Sequence, residues 1–221
     1  MRGSGVDYVI RIAKLQPKAE ADKILNIRYS NIAEAYMMKG DITQMHDYLK
    51  RSRELAIDEF GEGTIYDADV DWITGHLHYH NRDFEQAQTL YSRAYNVNVK
   101  ENESSMMTAT ILYKLGCVAL AQNDVVTAIS QLEEALKLAH FNRSMKGDDG
   151  DIARVKRKLA DALYKTADRR DEARKMHLDA EKSRREIQEQ RLGRLPDTEH
   201  SYDLLVACYY RGWHPVDDQD G

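Results

Sequence analysis

Apolar residues recur at helical spacing along most of the chain, and short polar stretches interrupt them. The apolar sets include Ile32 and Tyr36, then Leu112, Leu115 and Ala119, then Leu159 and Leu163. This period of three to four residues predicts amphipathic helices. The interruptions lie at 39–41, 81–83, 122–124 and 168–171, and they are rich in residues that end one helix and cap the next. The pattern therefore predicts helices joined in pairs by short turns.

Small residues recur at a fixed spacing of twelve and then seven positions. The sets are Gly75, Ala87 and Ala94, then Gly116, Ala128 and Ala135, which follow 41 residues later. Ala33, Met45 and Ser52 precede the first set by 42 residues, and Ala160, Ala173 and Ala180 follow with one extra residue in the turn. Because antiparallel helices approach closely only where small side chains face each other, these sets predict four stacked helical hairpins.

The repeat resembles the tetratricopeptide repeat family. The residues that carry the resemblance are Ile32-Ala33 with Tyr36, Phe84 to Ala87 with Tyr91 and Ala94, and Leu115-Gly116 with Ala128, Leu132 and Ala135. It covers about residues 24–192. It implies an all-α fold, a right-handed α-solenoid of about four antiparallel hairpins with an N-terminal half repeat and a C-terminal capping helix. Three positions depart from the family pattern, because Asp71 stands where Trp is usual and Met45 and Ser52 replace Ala.

The period of 41 to 42 residues exceeds the usual tetratricopeptide period of about 34 residues. Each hairpin therefore has longer helices or a longer link to the next hairpin. In this the chain resembles the long-repeat variant found in kinesin light chains and in the C-terminal repeats of fungal and bacterial signal-transduction ATPases.

The pattern divides the chain into four regions. We expect a half repeat at 1–20, where 9–17 reads as the end of a second helix and suggests the last part of a larger protein. The repeat domain follows at 21–195, a capping helix at 196–212 and a disordered acidic tail at 213–221. Within the repeat domain, the glycines and polar residues of 142–151 predict a mobile loop.

Composition and charge narrow the class of protein. The chain has 42% hydrophobic and 31% charged residues, which suits thin layers of helix with much exposed surface. Its net charge is −5 with both signs interspersed, which argues against binding to duplex nucleic acid, although basic residues are in excess over 151–191. No apolar run approaches the roughly 18 residues of a membrane span. Two cysteines without a CxxC pair or a secretory leader favour a reduced, cytoplasmic protein.

The family resemblance implies that the first helix of each hairpin lines a concave groove that binds a partner protein or peptide. Carried over to this sequence, the partner-binding residues are Trp72, His76, Tyr79, His80, Tyr113, Lys114, Arg154, Arg157, Lys158 and Asp161. Aromatic and cationic side chains together suit an acidic peptide with a large apolar anchor. The alternative for Trp72 is packing between hairpins, and for Arg154 and Arg157 it is a solvated face with pairs such as Arg157–Asp161.

Other kinds of site find little support in the sequence. His76 and His80 lie one turn apart, but no motif places a third ligand, so we predict no metal and no cofactor. No catalytic motif is present, and we predict that the protein is not an enzyme. A receptor for chaperone tails is disfavoured, because Glu34 would repel the terminal carboxylate where the family has a clamp.

These observations favour a protein-interaction module, as part of a larger signalling or scaffold protein. A second hypothesis is a structural solenoid that forms homo-oligomers through its N-terminal edge. A third is an enzyme on an α-solenoid that uses the histidine cluster His76, His78 and His80.

Overall fold

A computed structural model describes residues 18–146, 150–191 and 198–206. The α-helices of these ranges are α1 (Lys18–Met38), α2 (Ile42–Phe60), α3 (Ile65–His80), α4 (Phe84–Asn102), α5 (Met106–Ala121), α6 (Val125–Lys146), α7 (Gly150–Leu163), α8 (Arg170–Arg191) and α9 (Glu199–Asp203). A 3-10 helix, Ala167–Arg169, precedes α8. The predicted half helix at 9–17 and the acidic tail lie outside the described residues.

Four hairpins form the body of the fold: α1 pairs with α2, α3 with α4, α5 with α6, and α7 with α8. Successive hairpins stack because the second helix of one contacts the first helix of the next. The buried apolar residues form one cluster that spans the first three hairpins and another that spans the third and fourth. A third, smaller cluster joins Ala153 of α7 and Ala180 of α8 to Tyr202 and Leu205. The structure confirms the predicted all-α fold of repeated hairpins.

The first three turns share one geometry. Asp41, Asp83 and Asp124 each precede a second helix and accept a hydrogen bond through Oδ1 from the backbone N–H three residues on, at 3.1 to 3.3 Å. This satisfies a donor that the helix start would leave open. The residue directly before each of these aspartates adopts a positive φ, and these residues are Gly40, Arg82 and Asn123. Polar turn residues thus fix where each hairpin reverses.

All four sets of small residues lie inside the stack. Ala33, Ala87, Ala94, Ala128, Ala135, Ala160, Ala173 and Ala180 are fully buried, and so are Met45 and Ser52. At Gly75 a Cβ atom would lie 2.5 Å from Cε1 of Tyr91, and at Gly116 it would lie 2.6 Å from Cγ of Leu132. Small residues therefore mark the helix crossings, as their spacing predicts.

Two local predictions are wrong. The loop predicted at 142–151 is helical at both ends, because α6 continues to Lys146 and α7 begins at Gly150. Asn142 is buried in α6, where its Nδ2 donates to the carbonyls of Leu138 at 2.8 Å and Ser104 at 2.9 Å. The fourth turn also starts before 168, because α7 ends at Leu163 and the hydroxyl of Thr166 donates to its carbonyl at 2.7 Å.

Candidate protein-interaction surface

The first helices of the hairpins carry every predicted partner-binding residue. α1 contacts α3, and α5 contacts α7, so these helices form one continuous side of the stack. We call this side, made by α1, α3, α5 and α7, the first-helix face. The predicted residues divide on it into a buried group and an accessible group.

Trp72 belongs to the buried group, with none of its surface exposed. Its ring meets that of His76 edge-on at 4.1 Å and lies 5.5 Å from the ring of Tyr91 on α4. Nδ1 of His76 and the hydroxyl of Tyr91 form a hydrogen bond of 2.6 Å, and burial raises the pKa of that hydroxyl well above its ordinary value. In this conformation Trp72 packs inside the second hairpin, against His76 and Tyr91.

Tyr113, Lys114 and Lys158 are also buried. Nζ of Lys114 lies 5.9 Å from the ring centre of Tyr79 and 5.7 Å from that of Tyr113, so it is held between aromatic rings of two successive first helices. Cation–π contacts of this kind partly compensate a cation for lost water. Lys114 therefore braces the second hairpin against the third.

The accessible group consists of Tyr79, His80, Arg157 and Asp161. Arg157 and Asp161 form the expected pair one helical turn apart, with Nε 3.5 Å from Oδ1. Tyr164 follows the end of α7 and is 40% exposed. Aromatic and charged groups thus reach the surface at the second and fourth hairpins.

Arg154 is buried, and its guanidinium joins three parts of the fold. Nη2 donates to Asp151 at 3.2 Å, Nη1 donates to Asp203 at 3.5 Å, and the group lies 4.4 Å from the ring centre of Tyr113. Burial opposes the charge, but the nearby Tyr113 and the carboxylates of Asp151 and Asp203 outweigh it. The pKa of Arg154 therefore lies above its ordinary value.

Asp203, one of the partners of Arg154, lies in the C-terminal segment, Thr198–Val206, which contains α9. Tyr202 and Asp203 are each 1% exposed. The ring of Tyr202 lies 5.5 Å from the guanidinium carbons of both Arg157 on α7 and Arg184 on α8. Sequence reasoning placed a capping helix here but identified neither residue as part of the site, since no local motif marks a contact 49 residues away.

Other side chains of the first helices that could take part in binding or catalysis are mostly buried. Ser30 shares a hydrogen bond of 2.9 Å with the hydroxyl of Ser52, and Glu34 is also buried. Cys117 is a buried free thiol. His78 is partly buried and its Nδ1 lies 2.9 Å from Oδ2 of Asp83. Over the described ranges, no group of three or more His, Cys, Asp or Glu side chains is placed to hold a metal ion.

None of the helices in the described part of the chain is both long enough and apolar enough to cross a membrane.

Comparison with known proteins agrees with this geometry. The model of the family described as Tetratricopeptide repeat matches residues 72–140, which lie in the second and third hairpins. The crystal structure of BtubC (BKLC) from P. vanneervenii is similar, with a TM-score of 0.66 over 80% of this chain and 68% of that chain at 20% identity. In all, 33 chains of solved structures match, and no curated protein does.

The fold and its first-helix face define a helical-repeat protein of the α-solenoid class. More particularly, its residues 72–140 match the tetratricopeptide repeat family, and the repeats on either side have the same hairpin architecture. Its similarity to BtubC, a kinesin light chain-like protein, is consistent with the long period of its repeats.

Proposed function

We propose that this protein is an interaction scaffold that binds a peptide or helix of a partner on the first-helix face. Tetratricopeptide repeats indicate protein partners in general. The observation that carries the finer proposal is the set of accessible side chains there: Tyr79 and His80 on the second hairpin, Arg157 and Asp161 on the fourth, and Tyr164 just after the end of α7. Aromatic residues and arginine are the side chains that most often dominate binding energy at protein interfaces.

Two features support a binding role over a catalytic one. The predicted residues Trp72, Tyr113 and Arg154 are buried, Trp72 within the second hairpin and the other two against each other between the third and the fourth. The accessible residues then project from a rigid backbone, which lowers the entropic cost of binding. The arrangement suits recognition of an extended or helical segment, and we propose no reaction for it.

Site-specific cross-linking tests which face binds. A photoreactive amino acid replaces the exposed His80 in one variant and the exposed Leu178 of α8, a second helix, in a matched control. Both variants are irradiated in lysate of the source organism, and the cross-linked proteins are identified by mass spectrometry. We expect a protein attached at position 80 and absent from position 178.

The accessible aromatic residues supply a second readout. The substitutions Tyr79→Ala and Tyr164→Ala, made together, should reduce capture of that protein at least about tenfold, as loss of an interface anchor does. Leu178→Ala should leave capture unchanged. Capture that depends on Leu178 and not on the tyrosines would place binding on the second helices, and cross-links only between copies of this chain would favour self-association.

A further inference from the structure

A cleft of about 520 Å³ lies where the first hairpin meets the second. It is lined by residues of the second helices α2 and α4, of the link between α2 and α3, and of the first half of α3. We call it the α2–α4 cleft. Its volume falls in the range of small-molecule sites. Tyr79 and His80, on which the proposed function depends, lie at the far end of α3, so the cleft is a separate feature.

Asp71 holds the charged side chains of the cleft in place. It is 2% exposed, and each oxygen of its carboxylate faces an arginine. Nη2 of Arg53 donates to Oδ1 at 2.6 Å, and Nε of Arg93 lies 3.0 Å from Oδ2. Because one buried carboxylate contacts both guanidinium groups, the orientation of each group is fixed before any ligand arrives.

The two arginines differ in how many of their donors the protein uses. Nη1 of Arg53 lies 3.2 Å from Oδ1 of Asp67, so both Nη groups of Arg53 face carboxylates. The side chain of Arg93 is 53% exposed and contacts Asp71 through Nε. Its two Nη groups form no hydrogen bond with any other residue that the structure describes. The edge between Nη1 and Nη2 is the one that binds a carboxylate through two parallel hydrogen bonds.

The net charge of the cleft does not by itself select a ligand. Arg53 and Arg93 balance Asp67 and Asp71. Glu62, on the link between α2 and α3, is exposed and adds one negative charge at the rim. The open donors of Arg93 therefore favour an anion, and Glu62 weakens its binding by repulsion.

Aliphatic side chains form the apolar part of the cleft. Ile57 on α2 is 37% exposed, Val97 on α4 is half-buried and Ala68 on α3 is buried. Aliphatic surface beside a fixed guanidinium matches a ligand with a carboxylate at one end and a carbon chain at the other.

We propose that the α2–α4 cleft binds an aliphatic carboxylate, which Arg93 holds through hydrogen bonds from Nη1 and Nη2 while the carbon chain of the ligand covers Ile57 and Val97. Asp71 is a positioning residue, because it acts on the ligand through Arg93. A free branched-chain acid and the C-terminal residue of a protein chain share this chemistry. The inference goes beyond the proposed function, which concerns the first-helix face.

Methyl NMR of the full chain at constant ionic strength tests this, with 4-methylpentanoate as the probe. The methyl signals of Ile57 and Val97 should shift saturably, with a Kd on the order of a millimolar. That of Ile111, fully buried in the third hairpin, should not move. The uncharged 4-methylpentanamide should produce no saturable shift. A response of the cleft methyls that stays linear far above a millimolar, or equal binding of the amide, overturns the proposal.

The length of the carbon chain tests the apolar part of the cleft. A fully buried methylene is worth about fourfold in affinity, so acetate should bind at least about tenfold more weakly than 4-methylpentanoate. Equal binding of the two acids would show attraction of an anion alone and would overturn the match to an aliphatic ligand.

The two sources of the ligand differ at the carbon beside the carboxylate. 4-Methylpentanoate has the carbon skeleton of leucine without the amine, whereas N-acetylleucine carries the blocked amine of a chain end. Tighter binding of 4-methylpentanoate supports the site as one for a free acid. Tighter binding of N-acetylleucine supports it as one for the end of a protein chain.

Arg93→Lys separates paired hydrogen bonds from simple charge attraction. Lysine keeps the positive charge but lacks the planar fork, so Arg93→Lys should weaken binding of 4-methylpentanoate at least about tenfold. Arg51→Lys is the matched control, because Arg51 is exposed on α2 and lies outside the cleft. Equal effects of the two substitutions would overturn the assignment to Arg93.

Glu62→Gln covers the case in which Arg93→Lys disturbs the joint between the hairpins. It leaves the ion pairs of Asp71 in place and removes the negative charge at the rim. Binding of 4-methylpentanoate should tighten about twofold to fivefold, as expected for one exposed charge pair. Glu54→Gln, at an exposed position of α2 outside the cleft, should leave it unchanged. Unchanged or weaker binding by Glu62→Gln would show that the anion does not lie in the α2–α4 cleft.

Discussion

Arg53 on α2 donates to Asp71 on α3, with 2.6 Å between Nη2 and Oδ1, and so joins the first hairpin to the second. Nε of Arg93 on α4 approaches the other oxygen of the same carboxylate at 3.0 Å. Asp71 stands where the repeat family usually has Trp, and the structure explains the departure. The carboxylate connects helices of two hairpins through ion pairs where an aromatic side chain would connect them by packing.

Burial disfavours the charge of Asp71 more than the two arginines favour it, so its pKa is raised above the ordinary value of 3.8. The native state then holds the proton more tightly than the unfolded state does. Folding stability contributed by Asp71 is therefore greatest below pH 3.8 and decreases as the pH rises through the raised folded pKa. This sign is opposite to that of a carboxylate whose pKa is lowered by its partners.

Urea unfolding of wild type and Asp71→Asn at a series of pH values measures this contribution. Relative to Asp71→Asn, wild type should lose stability as the pH rises from below 3.8 toward neutrality. The comparison cancels the titration of the other carboxyl groups. A difference that stays constant with pH, or one that grows in favour of wild type, would contradict the raised pKa.

Gly75→Leu tests the register of the second hairpin. Already the first side-chain carbon would lie 2.5 Å from the buried ring of Tyr91, which has no room to move away. We expect a loss of about 1–3 kcal/mol or more, the cost typical of overpacking. Thermal unfolding followed by circular dichroism should show a lower midpoint for Gly75→Leu. Gln88→Leu, at an exposed position of α4, is the control and should change stability by less than about 0.5 kcal/mol.

Tyr91→Phe tests whether the Trp72 cluster is a structural core. The substitution removes the 2.6 Å hydrogen bond to Nδ1 of His76 and leaves the ring in place. Loss of one partner of a buried hydrogen bond should cost about 1–3 kcal/mol in denaturant unfolding. Tyr95→Phe, on the same helix but only partly buried, should cost less. Equal and negligible effects would mean that the cluster contributes by ring packing alone.

The architecture was predictable because its signals are local and repeated. Each set of small residues, such as Gly116, Ala128 and Ala135, reports one helix crossing, and the set recurs four times with the same outcome. Aspartates at the starts of second helices mark the first three turns in the same way. The fourth turn has neither Gly nor Asn at its start, and that start was predicted four residues too late, at 168 instead of 164.

The candidate site was less predictable, since a family position gives the side of a helix but not the depth of a side chain. Tyr113 and Arg154 are long enough to meet across two hairpins, and Trp72 reaches Tyr91 inside its own hairpin, so all three are covered. Smaller residues at the same positions would leave the face open. The contact of Arg154 with Asp203 spans 49 residues, and only the folded chain brings these two together.

The C-terminal segment, Thr198–Val206, allows a prediction about local opening. A region that opens by itself exchanges its amide hydrogens faster than the globally protected core. In the segment the amides of Ser201, Leu205 and Val206 donate to carbonyls three residues earlier, at 3.1 Å. Asp203→Asn weakens the contact with Arg154 and should speed exchange of these three amides at least about tenfold.

Hydrogen exchange followed by NMR or mass spectrometry separates a dissociable segment from an integral cap. The amides of Ala87 and Ala128, which start second helices in the middle of the stack, serve as internal references and should keep their wild-type rates. Asp168→Asn, at an exposed position, controls for the loss of one negative charge. If Asp203→Asn speeds exchange equally in the segment and at the references, the segment unfolds only with the whole solenoid. The segment then acts as an integral cap of the last hairpin, held by the Arg154–Asp203 pair and by the contacts of Tyr202 and Leu205 with Ala153 and Ala180.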